Sequence, residues 1–222
     1  MNKILVIAPH PDDETLGCGG TLLKHFKQGD KTNWLICTEA HIELGWTQEE
    51  IKLRESEIDV VSEKYCFNSV KNLKIPAAKV DTFPMSKLIN KIGDFVKILA
   101  PDIVYLPNLY DAHSDHYFIA KASHSMIKWF RYPSIKKVLV YETISETNFN
   151  FSSKADFQPN VFNNISDYID EKINIMKIYN SEFKDHPFPR SEQAIRSLAI
   201  LRGSQSGYSF AEAFTLIYER QS

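Results

Sequence analysis

The chain has 222 residues, 43% hydrophobic and 24% charged, and its 26 Lys plus Arg against 28 Asp plus Glu leave a net charge of −2. At about 150 residues per domain this predicts one domain, residues 1–222, with enough apolar material for a sizeable core, and it excludes a disordered or collagen-like chain. The near-neutral charge argues against binding nucleic acid through a broad basic face, and three cysteines without a CxxC pair support neither a disulfide framework nor a cysteine zinc knuckle.

Lys3 to Ala8 is a short apolar run stopped by Pro9 and Pro11, as expected of a strand buried on both faces. It is too brief for a signal segment or a membrane span, so the expectation is a soluble, cytoplasmic protein in a reducing compartment. Asp12, Asp13, Glu14 and Thr15 then suit a helix N-terminus, and Leu16, Leu22, Leu23 and Phe26 carry a helix toward Gly29. Further strands are expected at Thr32–Thr38, near Val70–Leu73, at Ile103–Leu106 and at Val138–Tyr141. Helices are expected at Thr47–Tyr65, Met85–Leu99 and Tyr117–Phe130. This alternation predicts an α/β, Rossmann-like open sheet, mainly parallel, with helices on both faces. Phe149 to Asn160 is polar and aperiodic and reads as a surface excursion that could reach over a site. Helical spacing returns over Ile165–Asn180 and Ser191–Leu201, and Phe214–Tyr218 reads as an edge strand.

Two groups carry chemistry. His10-Pro11-Asp12-Asp13-Glu14 follows the first strand directly, and a histidine and a carboxylate three positions apart can converge on one metal ion across a tight turn. The intervening Asp12 can then point at the metal's water. In Asp111-Ala112-His113-Ser114-Asp115-His116, two histidines are again three apart, with Asp115 placed to bond an imidazole. The plain structural reading makes the acids of the first group a helix N-terminus and Ser114 or Asp115 a helix cap, but it leaves both histidines of the second unexplained. Ligands of open α/β sheets bind at strand carboxyl ends where strand order reverses, and both groups follow strands expected to be neighbours there.

These residues resemble the LmbE-like, or PIG-L, family of zinc-dependent N-deacetylases. Its Ala-His-Pro-Asp-Asp-Glu signature appears as Pro9 to Glu14, and its His-x-Asp-His group as His113 to His116. Weaker matches are Arg54 and Glu57, Tyr179-Asn180-Ser181-Glu182, Arg202-Gly203 and Ala211-Glu212-Ala213-Phe214. Glu182 stands where the family more often has Gln. The resemblance implies that His10, Asp13 and His116 bind Zn²⁺, with another divalent ion such as Fe²⁺ as the alternative. It makes Asp12 the general base, His113, held cationic or polarised by Asp115, the stabiliser of the oxyanion, and Arg54 a pocket residue. The expected partner is a small acetamido sugar or sugar conjugate, with no nucleic acid and no membrane span. Self-association into a homo-oligomer stays open. Two histidines and a carboxylate also make the facial triad of a non-haem Fe(II) oxygenase, against which a base beside the water speaks. A noncatalytic sugar-binding module of the same fold is the third reading.

Gly17-Cys18-Gly19-Gly20 lacks the G-x-G-x-x-G pattern and reads as close helix–sheet packing. Glu39, Glu43 and Trp46 occupy the loop after the second strand, where they could touch a sugar ring. His25, His41, His124 and His186 lack a paired acid at useful spacing and read as structural or solvent-exposed.

Overall fold

A computed structural model describes residues 1–151 and 157–221. Its strands are β1 (Lys3–Ala8), β2 (Lys31–Glu39), β3 (Ser69–Pro76), β4 (Ile103–Pro107), β5 (Lys137–Tyr141), β6 (Val161–Asn164) and β7 (Ala211–Glu219). Its α-helices are α1 (Asp13–Lys27), α2 (Gln48–Lys64), α3 (Met85–Leu99), α4 (Ser114–Ser123), α5 (Ile169–Met176) and α6 (Glu192–Ser206). The strands form one sheet in the order β3-β2-β1-β4-β5-β7-β6. Strands β1 to β5 run parallel to their neighbours, and β7 pairs antiparallel with both β5 and β6. The sheet is thus the α/β arrangement expected, with β1 beside β4 at the point where the order reverses.

Side-chain alternation along β1 splits the core in two. Ile4, Val6 and Ala8 pack with α1, α2, α5 and α6 on one face, while Leu5 and Ile7 pack with α3 and α4 on the other. Burial on both faces is why the strand reads as a continuous apolar run. The glycines of α1 serve this packing: a Cβ at Gly17 would overlap the Tyr141 ring, and one at Gly20 would lie 2.7 Å from Ile165. Among the described residues no helix is long and apolar enough to cross a membrane.

Four elements depart from expectation. Helix α4 begins at Ser114, before Tyr117, because the imidazole of His113 accepts the Asp115 N–H and caps it, and after Ser123 the chain tightens into a 3-10 turn. Helix α5 starts at Ile169 because Asn164 Oδ1 accepts both the N–H and the hydroxyl of Ser166, forming a side-chain turn that delays it. Strand β7 is internal, and the edge is the four-residue β6, which has no apolar run to announce it. Of the excursion expected at Phe149–Asn160, residues 152–156 lie outside the described residues, and Thr147–Phe149 forms a 3-10 turn.

A buried ion pair ties the antiparallel end of the sheet to α1. Lys172 Nζ lies 2.7 Å from Glu212 Oε1 and donates to the Leu16 carbonyl at 2.8 Å, while the Glu212 carboxylate accepts the N–H groups of Gly20 and Thr21. Removing one member of such a pair leaves an uncompensated buried charge. Glu212→Ala is expected to lower the unfolding free energy by about 3–5 kcal/mol, read from the denaturation midpoint at constant m-value.

Candidate active site

The site lies at the carboxyl ends of β1 and β4. Asp12, in the turn after β1, has φ 133°, a left-handed conformation that costs a non-glycine residue roughly 1–3 kcal/mol. Its side chain makes no cap bond to α1. Instead Arg190 Nη1 donates to Asp12 Oδ2 at 2.8 Å. The acids of this turn are therefore spent on something other than capping.

Asp13 is the hub. Its Oδ2 accepts the His10 N–H at 2.8 Å and lies 3.3 Å from both His10 Nδ1 and His116 Nε2. The far nitrogen of each ring meets a second carboxylate, His10 Nε2 facing Asp115 Oδ2 at 3.1 Å and His116 Nδ1 facing Asp111 Oδ2 at 2.7 Å. Such outer carboxylates fix the ring orientation and raise the basicity of a metal-binding imidazole. The His10, Asp13 and His116 donor atoms lie within 4.8 Å of one another. Ligands at zinc's usual 2.0–2.1 Å in tetrahedral array stand about 3.3 Å apart, so the observed spacing fits a small dication.

The electrostatics agree. Although burial opposes it, His116 and His10 hold the Asp13 carboxyl well below its ordinary range. His10 is pushed up to about 9, against the effect of burial, by Asp115 and Asp13. His116 is likewise raised by Asp13 and Asp111 in spite of burial. Three carboxylates converge on two imidazoles, a charge balance that favours a bound cation. A second grouping, His10, His113 and Asp115, also satisfies metal spacing. It is the poorer donor set, because Asp115 Oδ2 already accepts the Ala78 N–H at 2.7 Å and His113 Nδ1 accepts the Asp115 N–H at 3.1 Å.

His113 was expected to be held cationic or polarised by Asp115, and its surroundings favour a neutral ring. The Asp115 carboxylate stands 4.0 Å from His113 Nδ1 and turns to His10 and to the N–H groups of Ala78 and Val80. Burial, with His10 close by, lowers the His113 pKa to about 4. The ring is therefore neutral, with Nδ1 as acceptor and Nε2 left to carry the N–H. The grip on His113 comes from the Asp115 backbone and not from its carboxylate.

A cavity of about 500 Å³ opens over these groups, within the size range of small-molecule sites. His10, Asp12 and His113 are on its floor side, with Trp46, Arg54 and Glu182 also in its lining. Trp46 and Glu39 thus reach the cavity, whereas Glu43 lines a neighbouring pocket. Arg54 and Glu57 arrive on α2, whose start is fixed by a capping box between Thr47 and Glu50. Arg202 is elsewhere, bidentate on Glu142 at 2.7 and 2.6 Å. His25 is structural as expected but does have a partner acid: Asp30, five positions on, lies 2.8 Å from its Nδ1, and the Tyr105 hydroxyl 2.9 Å from its Nε2.

Two participants, Arg190 and Glu146, were not expected, and Glu182, whose role the resemblance left open, joins them. Arg190 bonds Asp12, Glu182 and Glu146, and Glu146 also accepts the His113 N–H at 3.1 Å. Glu182 bridges Arg54 and Arg190, and against the effect of burial these two cations hold its carboxyl below the ordinary range. Arg190 sits between Pro189 and Ser191 with no periodic or motif signal, and only the fold brings it to the turn after β1.

Residues 5–127, which hold both histidine groups, match the PIG-L family, GlcNAc-PI de-N-acetylase. The chain belongs to this family. It is 26% identical over 229 residues to a diacetylchitobiose deacetylase of Thermococcus kodakarensis, covering 98% of this chain and 84% of the relative. The N,N'-diacetylchitobiose deacetylase of Pyrococcus horikoshii superposes with a TM-score of 0.79 at 20% identity, over 98% of this chain and 84% of that one. GalB, a 4-carboxy-2-hydroxymuconate hydratase from Pseudomonas putida, superposes with a TM-score of 0.74 at 17% identity, over 100% and 98%. Fold likeness at such identities leaves the reaction to be argued from the site.

Proposed function

We propose that this protein is a metal-dependent hydrolase that removes the N-acetyl group from an N-acetylglucosamine-type sugar or sugar conjugate. The observation that carries the reading is the Asp13 carboxylate set between two imidazoles, each backed by its own carboxylate, beneath an open cavity in a chain of this family. His10, Asp13 and His116 would hold the ion, with Zn²⁺ the best match to two nitrogens and one oxygen. When bound, it supplies Lewis acidity and a water acidified toward a pKa of about 7.

Asp12 is the general base. Arg190 engages Oδ2 of its carboxylate, which would leave Oδ1 to take the proton of the attacking water and pass it to the departing amine. His113 offers its Nε2–H to the oxyanion of the tetrahedral adduct. A neutral donor suits this task, and the Asp115 N–H donated to Nδ1 supports the tautomer with its proton on Nε2. His113→Ala is expected to lower kcat by about 10²–10³ while leaving metal content and substrate affinity nearly unchanged. Steady-state kinetics beside elemental analysis check this, and loss of the metal would instead make His113 a ligand.

Burial pushes Asp12 up to about 8, and Arg190 is the strongest influence in the other direction. A base works only when deprotonated, so activity falls as pH drops through its pKa. Removing the guanidinium raises that pKa further. Arg190→Gln is therefore expected to move the acid limb of the kcat/KM profile to higher pH by about one to three units, the range typical of a lost neighbouring charge. An unmoved limb would dissociate Arg190 from the base.

The reading is tested by incubating zinc-loaded protein with a panel of N-acetylglucosaminides and nucleotide sugars and detecting free amine. No amine from any member would refute it.

A further inference from the structure

Two guanidiniums and four carboxylates form a single cluster, all but Glu57 lining one wall of the cavity. Glu182 lies at its centre, with Oε1 2.6 Å from Arg54 Nη2 and Oε2 2.6 Å from Arg190 Nη1. Arg54 places three more donors on the Pro11 carbonyl, the Ser181 hydroxyl and Glu57. Arg190 spends its own on Ser145, Asp12 and Glu146. Each guanidinium thus places four of its five N–H donors on the protein, so neither keeps a free parallel pair.

An arginine grips a phosphate by offering two free, parallel N–H donors and an unmatched positive charge. Here neither is on offer. The cluster sets the charges of Arg54 and Arg190 against the carboxyl groups of Asp12, Glu57, Glu146 and Glu182, so the two positive charges meet at least as many negative ones. The side chains of Arg54 and Arg190 are 12% and 19% exposed, which keeps solvent screening low. The rest of the lining adds Lys79 at the exposed rim and Glu39, and these leave the balance unchanged.

We propose that Glu182 is a specificity-determining residue: by spanning Arg54 and Arg190 it withdraws both guanidiniums from substrate, so the pocket takes uncharged or amine-bearing acetamido sugars and rejects phosphorylated ones. The acetamido part of this statement rests on the deacetylase reading above. The charge selection does not, and it is measurable with sugars that lack an amide.

The test measures binding of glucose and glucose 1-phosphate to the metal-replete protein by calorimetry, and reads the ratio of the two dissociation constants. Any contact of phosphate with the ion is common to all variants, so the change in ratio isolates the cluster. Glu182→Gln, which keeps the shape and removes the charge, is expected to shift the ratio about tenfold toward glucose 1-phosphate. Adding Arg54→Gln to that variant should abolish the gain, and Glu182→Asp should retain the discrimination of the unaltered protein. An unchanged ratio in a Glu182→Gln protein of unchanged Tm overturns the proposal. If Glu182→Gln does not fold, Arg54→Gln alone decides: a loss of glucose 1-phosphate preference under about fivefold supports engaged donors, and any larger loss shows that Arg54 already clamps phosphate and overturns the proposal. Should the ratio shift as expected while no acetamido sugar is hydrolysed, the charge selection stands and the deacetylase reading falls.

Discussion

Asp12→Asn protein is expected to retain a stoichiometric divalent ion and to lose about 10²–10⁴ of its turnover, the usual range for removal of a general base. The substitution is nearly isosteric, and Asp12 is not among the three donors gathered around Asp13 Oδ2, so the ion has no reason to leave. What disappears is the acceptor. Asn cannot take the water's proton, and it also abandons the charged contact with Arg190. Elemental analysis and kcat are read on the same preparation. A metal-replete Asp12→Asn enzyme with near-normal turnover would assign the base to another group, and Glu146, a cavity carboxylate that is bonded to Arg190 and also accepts the His113 N–H, would be the first to examine.

His116→Ala is expected to bind the ion more than about 100-fold more weakly, a larger loss than the ~10–100-fold that follows removal of an outer-shell partner. His116 is buried, and its two nitrogens link Asp13 to Asp111. Truncation removes one donor and strands the Asp111 carboxylate. Asp111→Asn, which keeps the imidazole but weakens its support, should show the milder defect. Competition with a chromogenic chelator measures both. Stoichiometric zinc held tightly by His116→Ala would show that the ion sits on His10, His113 and Asp115 instead.

Much of this arrangement was legible in the sequence because the chemistry sits on the most regular part of the fold. β1 is an uninterrupted apolar run directly followed by one histidine group, and β4 lies beside it with the other group a short loop further on, so the placement at the point of strand reversal needed only local patterns. The spacing of His10 and Asp13 brought them to one centre as expected. What stayed hidden was long-range. Arg190 is 178 positions from Asp12, and Glu182 is 128 from Arg54, so no spacing rule connects them. Asp115 was read toward its sequence neighbour His113 but serves His10 across the sheet, because the N-cap geometry of α4 turns the His113 ring onto the backbone. β6 was missed for a similar reason: four half-buried residues held in place by β7 carry little hydrophobic signal of their own.

The measurement that bears most directly on the central claim is the hydrolysis of N,N'-diacetylchitobiose by the zinc-loaded protein in ¹⁸O-enriched water. The account predicts acetate and free amine in equal amounts, with one solvent oxygen in each acetate, and near-complete loss of both from Asp12→Asn protein under the same conditions. Absence of acetate from this and every other acetamido sugar, or turnover that consumes dioxygen with iron in place of zinc, would contradict it.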